Sequence, residues 1–311
     1  MIAFVYPGQG SQYVGMGKEI ADRYPSAAEL FVRADRLLGF PLSRYCFEGP
    51  AEELMQNDVV QPAILVSSLA VHSALKQEGL TPDLVAGLSV GEYTALVAAG
   101  SLSFDDALLL VRKRGTIMKN ALPPGTGGML AIIGLERDLV LGLCGEAAEK
   151  GTAEPCNYNC PGQIVVGGPI PAIEALEVLA MERGAKKVSR VAMSSPSHCS
   201  LLKPAAELFK KEMDGVPIED ARLAVISNVD ARPVTSASRI RENLSRQLYS
   251  TVLWEDTIKE MEKMGVKHIV EVGPGHTLLG FVRKTLKGMP VNNVEDLKTM
   301  DETLEAFGRR R

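Results

Sequence analysis

At 311 residues the chain has room for one large domain with a smaller one inserted or appended. Its 46% hydrophobic and 23% charged residues are those of an ordinary globular protein and exclude a disordered or fibrous one. The 34 basic and 38 acidic side chains leave a formal charge of -4, too balanced for a nucleic-acid surface.

The N-terminus, Met1 to Tyr6, runs straight into Pro7-Gly8, with no basic segment, long apolar stretch or small-residue cleavage site. No apolar run approaches the ~20 residues that cross a bilayer, so the chain is expected to be cytoplasmic and off the membrane. Ile2 to Tyr6 is a short continuous apolar run ended by glycines, the pattern of a strand buried on both faces. A helical segment is expected to follow, and Pro62 to Lys76 carries apolar residues at helical spacing. Leu84 to Ala86 predicts a second buried strand ending at Gly87-Leu88-Ser89, with Glu92 to Ala99 a helix stopped by Gly100. Ser103 caps a further helix whose Ala107, Leu110, Val111, Arg114 and Met118 share one face. A strand near Ile226 and another from Lys267 to Val272, ahead of a helical Thr277 to Leu286, continue the alternation. Such alternation predicts an α/β fold, a parallel sheet covered by helices.

Residues 125–193 break that pattern. Met129 to Ile133 reads as a strand, Arg137 to Lys150 as a helix, Glu154 to Tyr158 and Gln163 to Val166 as strands. Pro171 to Arg183 reads as a second helix and Lys187 to Met193 as a last strand. The order β-α-β-β-α-β predicts a ferredoxin-like subdomain, entered through a hinge at Pro123 to Gly128. The expected division is 1–124 with 194–311 as the large domain and 125–193 as the small one. No internal repeat or low-complexity tract occurs, and the charged end from Glu305 to Arg311 is expected to fray. Cys46, Cys144, Cys156, Cys160 and Cys199 are odd in number and lack C-x-x-C spacing, so free thiols are expected and neither a disulfide frame nor a metal site.

Gly87-Leu88-Ser89-Val90-Gly91 matches G-x-S-x-G where a predicted strand gives way to a predicted helix. On such a turn a nucleophilic serine sits in a strained conformation, and glycines two before and two after let strand and helix pack closely. The competing reading is a capping box, with Ser89 accepting from the helix start and Glu92 reaching back; it does not require glycine on both sides. A serine hydroxyl also needs a positioned base. Of four histidines, His72 falls in a predicted helix and His268 in a predicted strand, whereas His198 and His276 both lie in loops. Spacing does not choose between those two. Arg114 on a core-facing stripe needs an anion, either an Asp or Glu of the chain or a ligand.

Pro7-Gly8-Gln9-Gly10-Ser11-Gln12, the serine elbow, Ser197-His198-Cys199 and Gln247-Leu248-Tyr249 occur in one order. Asn157 to Gln163 and Glu271 to Gly275 accompany them. Together these resemble the malonyl-CoA:acyl carrier protein transacylases over nearly the whole chain, which implies an α/β-hydrolase-like core with an inserted ferredoxin-like subdomain. The resemblance implies Ser89 as nucleophile and His198 as general base, with a backbone carbonyl at Gln247 rather than a carboxylate orienting the imidazole. It implies the N–H groups of Gln9 and Val90 as oxyanion hole and Arg114 as the holder of the malonyl carboxylate. Many members carry histidine where this chain has Leu88, a departure that leaves the acyl preference open.

The implied reaction is a ping-pong transfer of malonyl from malonyl-CoA to an acyl carrier protein by a monomer, without metal or other cofactor. Carrier proteins of this kind are acidic. Lys186, Lys187 and Arg190, or Arg283, Lys284 and Lys287, are candidate docking patches or solvated faces. The rival readings are a serine hydrolase of acyl thioesters and a non-catalytic subunit that binds carrier proteins.

Overall fold

The computed structural model describes residues 1–191 and 196–309. Among the described residues ten strands follow in chain order: β1 Ile2–Tyr6, β2 Leu84–Gly87, β3 Gly127–Ile133, β4 Glu154–Cys160, β5 Gln163–Pro169, β6 Lys187–Arg190, β7 Ala224–Ile226, β8 Pro233–Val234, β9 His268–Val272 and β10 Val291–Val294. They form two sheets. The larger has the order β10-β9-β1-β2-β7-β8 and is parallel except for β8. The smaller is antiparallel, in the order β4-β5-β3-β6, with the helices Arg137–Glu146 and Ile170–Glu182 between its strands. That topology is ferredoxin-like.

β1 shows why its sequence is a continuous apolar run. Phe4 and Tyr6 enter one core, with the helix Asn57–Gln77, while Ala3 and Val5 enter another, with Trp254 and Ile258. Both faces of the strand are therefore dry, and each fully buried aliphatic or aromatic side chain contributes about 1.5–3 kcal/mol.

Some expectations need correction. Between β1 and β2 the structure has five helices, at Lys18–Arg23, Pro25–Leu38, Leu42–Glu48, Ala51–Leu54 and Asn57–Gln77. The last is 21 residues long and apolar enough to cross a bilayer, contrary to the absence of such a segment expected above. In the fold, 83% of its apolar window is buried, because it is the central core helix and packs against the large sheet and its neighbouring helices. The helix starting at Arg137 stops at Glu146 and tightens into a 3₁₀ turn, Ala147–Lys150. The outer strand β6 ends at Arg190; Met193, where it was expected to end, lies outside the described residues, as do the 193–194 division and Arg311.

The five cysteines are free and buried. The elbow glycines are sterically fixed: a Cβ on Gly87 would sit 2.0 Å from the carbonyl carbon of Gly91, and one on Gly91 would sit 2.2 Å from the carbonyl oxygen of Tyr6. Helix and strand touch backbone to backbone here, which brings residue 89 up to the C-terminal ends of β1 and β2.

Candidate active site

Ser89 follows β2 with a left-handed φ of 55°, the strained conformation expected of a serine lifted out of a sharp turn. Its N–H donates to Asn228 Oδ1 (2.7 Å), and Asn228 Nδ2 donates to Gly87 O (2.7 Å), so the amide just beyond β7 braces both sides of the elbow. Ser89 caps no helix. The following helix starts at Gly91, with Val90 at the cap and no side-chain cap bond, so the capping-box reading is set aside.

His198 reaches Ser89 Oγ through Nε2 at 2.8 Å, and its Nδ1 lies 2.8 Å from the backbone oxygen of Gln247. A carbonyl only accepts, so Nδ1 carries the proton and Nε2 is left to receive one from the serine. The ring is held further by the His198 N–H, which donates to Leu248 O (2.8 Å), and the residue has a left-handed φ of 61°. The imidazole is 3% exposed, and its pKa is pulled down to about 3, first by burial and then by Arg114. The other histidines are elsewhere: His72 bonds Tyr6 in the core, His268 bonds Asn292, and His276 is exposed beside Glu295.

Arg114 projects from the helix Phe104–Lys119, which Ser103 caps by accepting from Asp106 N–H. It is 1% exposed, and among the described residues no carboxylate pairs with it. Its Nη1 donates to Gln61 Oε1 (2.7 Å), and its Nη2 donates to Ser89 Oγ and Gln247 Oε1, both at 3.1 Å. Among the described residues its Nε has no hydrogen-bond partner, and the guanidinium faces the Tyr93 ring at 5.5 Å. Burial pulls its pKa down. Hydrogen bonds from a charged donor return about 1.5–3 kcal/mol each, against several for desolvating the ion. The groups that touch this buried cation are therefore all neutral, Glu92 acting on it only through space, and there is room for an anion in direct contact.

A cavity of about 200 Å³ opens over these groups, lined by Gln9, Leu88, Ser89, Val90, Arg114 and His198 among others. Among the described residues the N–H groups of Gln9 and Val90 have no acceptor, while the Gln9 side chain is tied to Asn57 Oδ1 at 2.8 Å. Leu88 presents an apolar side chain to the cavity. All six candidate residues from the sequence are thus in one place or, for Gln247, directly behind it. Asn228, Gln61 and Glu92, which complete the hydrogen-bond network, were not singled out for it; a polar pair, Ser227-Asn228, directly after a buried strand was the available signal for the first.

Of the basic clusters, Arg190 is neutralised by Glu174 and Glu177. Lys186 and Lys284 lie by the β4–β5 turn: Gly134 packs on Lys186 and its N–H donates to Gly162 O (2.7 Å), and Lys284 Nζ donates to Gln163 Oε1 (3.3 Å).

Comparison with known proteins gives the family. The acyl transferase domain family matches residues 3–307. A malonyl CoA-acyl carrier protein transacylase of Bacillus subtilis is 45% identical over 307 residues, covering 98% of this chain and 97% of its own. The crystal structure of a malonyl CoA-acyl carrier protein transacylase from Clostridium perfringens superposes with a TM-score of 0.96 at 37% identity, over 99% of this chain and 97% of that one. A malonyl-transacylase solved in complex with its type II PKS acyl-carrier protein gives 0.95 at 38% identity, over 98% and 99%. A serine elbow, a paired imidazole and near-complete overlap in sequence and fold lead to one assignment: the chain belongs to the acyl transferase domain family, among the malonyl CoA-acyl carrier protein transacylases.

Proposed function

We propose that the chain moves malonyl from malonyl-CoA to the phosphopantetheine thiol of an acyl carrier protein through an ester on Ser89, with no metal or redox cofactor. One observation carries this reading: Ser89 Oγ is shared between a neutral imidazole at 2.8 Å and, at 3.1 Å, a guanidinium in contact with no carboxylate among the described residues. The imidazole serves acyl transfer in general. The guanidinium selects an acyl group that ends in a carboxylate.

The malonyl carboxylate takes the Arg114 donors, which sets the thioester carbon beside Ser89 Oγ. Oγ attacks as its proton passes to Nε2, and the Gln247 carbonyl supports the imidazolium through Nδ1–H. The oxyanion receives the N–H groups of Gln9 and Val90. Collapse expels the coenzyme A sulfur, which takes the proton from Nε2. The carrier thiol then gives its proton to the same nitrogen, attacks the ester, and restores the serine.

Intact-mass analysis after mixing with malonyl-CoA is expected to show a malonyl group on Ser89 that transfers to a holo carrier protein. Free malonate with an unloaded carrier would instead make the chain a hydrolase.

A pH profile provides a second check. A base with a depressed pKa is neutral, and competent, at any pH above that lowered value. With His198 near 3, kcat/KM for acylation should stay level from about pH 8 to about pH 5, where an ordinary imidazole would already be lost near 6.5. An acid limb centred near 6.5 contradicts the buried base.

A further inference from the structure

Glu92, the residue just after the G-x-S-x-G turn, has no part in the steps above, yet it is 3% exposed and lies beneath the site. Its Oε2 accepts from Gln247 Nε2 at 2.6 Å, and its Oε1 accepts from the Asn228 N–H at 3.4 Å. The same Gln247 Nε2 also donates to Ser89 O (3.0 Å), while the other end of that amide, Oε1, accepts from Arg114 Nη2. The Gln247 side chain is thus strung between an acid and a base.

A primary amide has one accepting and one donating end, and rotation by half a turn exchanges them. Turned that way, Gln247 would aim an N–H₂ at the Arg114 guanidinium, donor against donor, and Arg114 would lose an acceptor it cannot replace in a buried site. A carboxyl group facing the other end removes that choice. Burial holds Glu92 up at about 7; its carboxylate can only accept, and when the acid is neutral the Ser89 oxygen bonded to the same Nε2 still holds the amide in this sense. We propose that Glu92 is a positioning residue for the acyl-selecting arginine: it fixes the polarity of the Gln247 amide, and through it the direction of the Arg114 fork. His198 is bound to the backbone oxygen of Gln247 rather than to its side chain, so the effect reaches the selection of the acyl group more than the base.

This inference rests on Arg114 receiving the malonyl carboxylate, and the test separates the two. Malonyl-CoA and acetyl-CoA are compared as donors by single-turnover acylation in Glu92→Asp, Glu92→Gln and Arg114→Ala. Aspartate keeps the charge and the burial but withdraws the oxygens by one methylene. It should lower malonyl kcat/KM by about tenfold or more and acetyl kcat/KM much less, whereas glutamine, which can still offer Oε1 to Gln247, should stay within about threefold of the parent. Equal losses for both donors in Glu92→Asp, or equal damage from aspartate and glutamine, would overturn the proposal while leaving Arg114 in its role. If Arg114→Ala itself leaves the malonyl to acetyl ratio intact, the underlying reading falls and this one with it. Glu92→Ala, whose cavity water can enter, replaces the aspartate variant if that does not fold. Loss of fold in both would make Glu92 purely structural and overturn the positioning role.

Discussion

Ser89→Ala is expected to abolish the malonyl-enzyme and to lower malonyl transfer by at least about 10³-fold, with little change in thermal stability. Gly87 and Gly91 let helix and strand meet at backbone distance, Asn228 braces the loop from both sides, and none of these contacts uses the serine hydroxyl. Removing that hydroxyl therefore removes chemistry and leaves the scaffold. His198→Ala should cost a similar factor, since an unassisted hydroxyl is a poor nucleophile near neutral pH. The double variant should be scarcely worse than either single one, because the two groups act in the same step. Intact-mass trapping with malonyl-CoA and carrier-loading rates supply the measurement. A serine-free variant that still loads the carrier at more than a few per cent of the parent rate would mean that the acyl group travels by another route.

How much of this could be read from the chain depends on how local each signal is. The elbow is local: two glycines, a serine and a strand-to-helix change lie within a few residues, and the structure has the turn there. Arg114 was legible because it breaks an apolar stripe, and every other member of that stripe is buried. His198 and His276 have equivalent loop contexts, so residue pattern did not separate them; only a bond to a residue 109 positions away does. Gln247 ends a helix, Ala237–Gln247, whose buried face mixes Ile240 and Leu244 with Asn243, and this sparse apolar pattern gave no helix signal. Gln61 is hidden for the opposite reason, as a polar side chain in a helix buried on nearly every side. Pro25–Leu38 was within reach, since Ala27, Phe31, Ala34 and Leu38 recur at helical spacing. The expected α/β class and ferredoxin-like order survive because they rest on alternation of elements, which single missed helices do not disturb.

Arg114→Ala should change which acyl group the protein accepts more than whether it transfers one. The guanidinium is charged, 1% exposed and held by two glutamine oxygens and a serine oxygen, so it lacks a negative charge in contact with it, Glu92 acting only from behind Gln247. A malonyl carboxylate supplies that charge; an acetyl group does not, and entering the cavity it leaves the cation as unpaired as before. Breaking a buried ion pair by removing one partner costs about 3–5 kcal/mol, so malonyl kcat/KM should fall by about 10²- to 10³-fold or more. Acetyl kcat/KM should hold or rise, because the variant no longer keeps an unbalanced charge beside an apolar acyl chain. The same substitution removes one of the two causes that depress the His198 pKa, so the acid limb of the pH profile should move upward, toward the ordinary imidazole range. Donor preference and acid limb are independent readouts of one charge. A variant that loses both donors equally, with its pH profile unmoved, would show that Arg114 serves the fold and not the choice of acyl group.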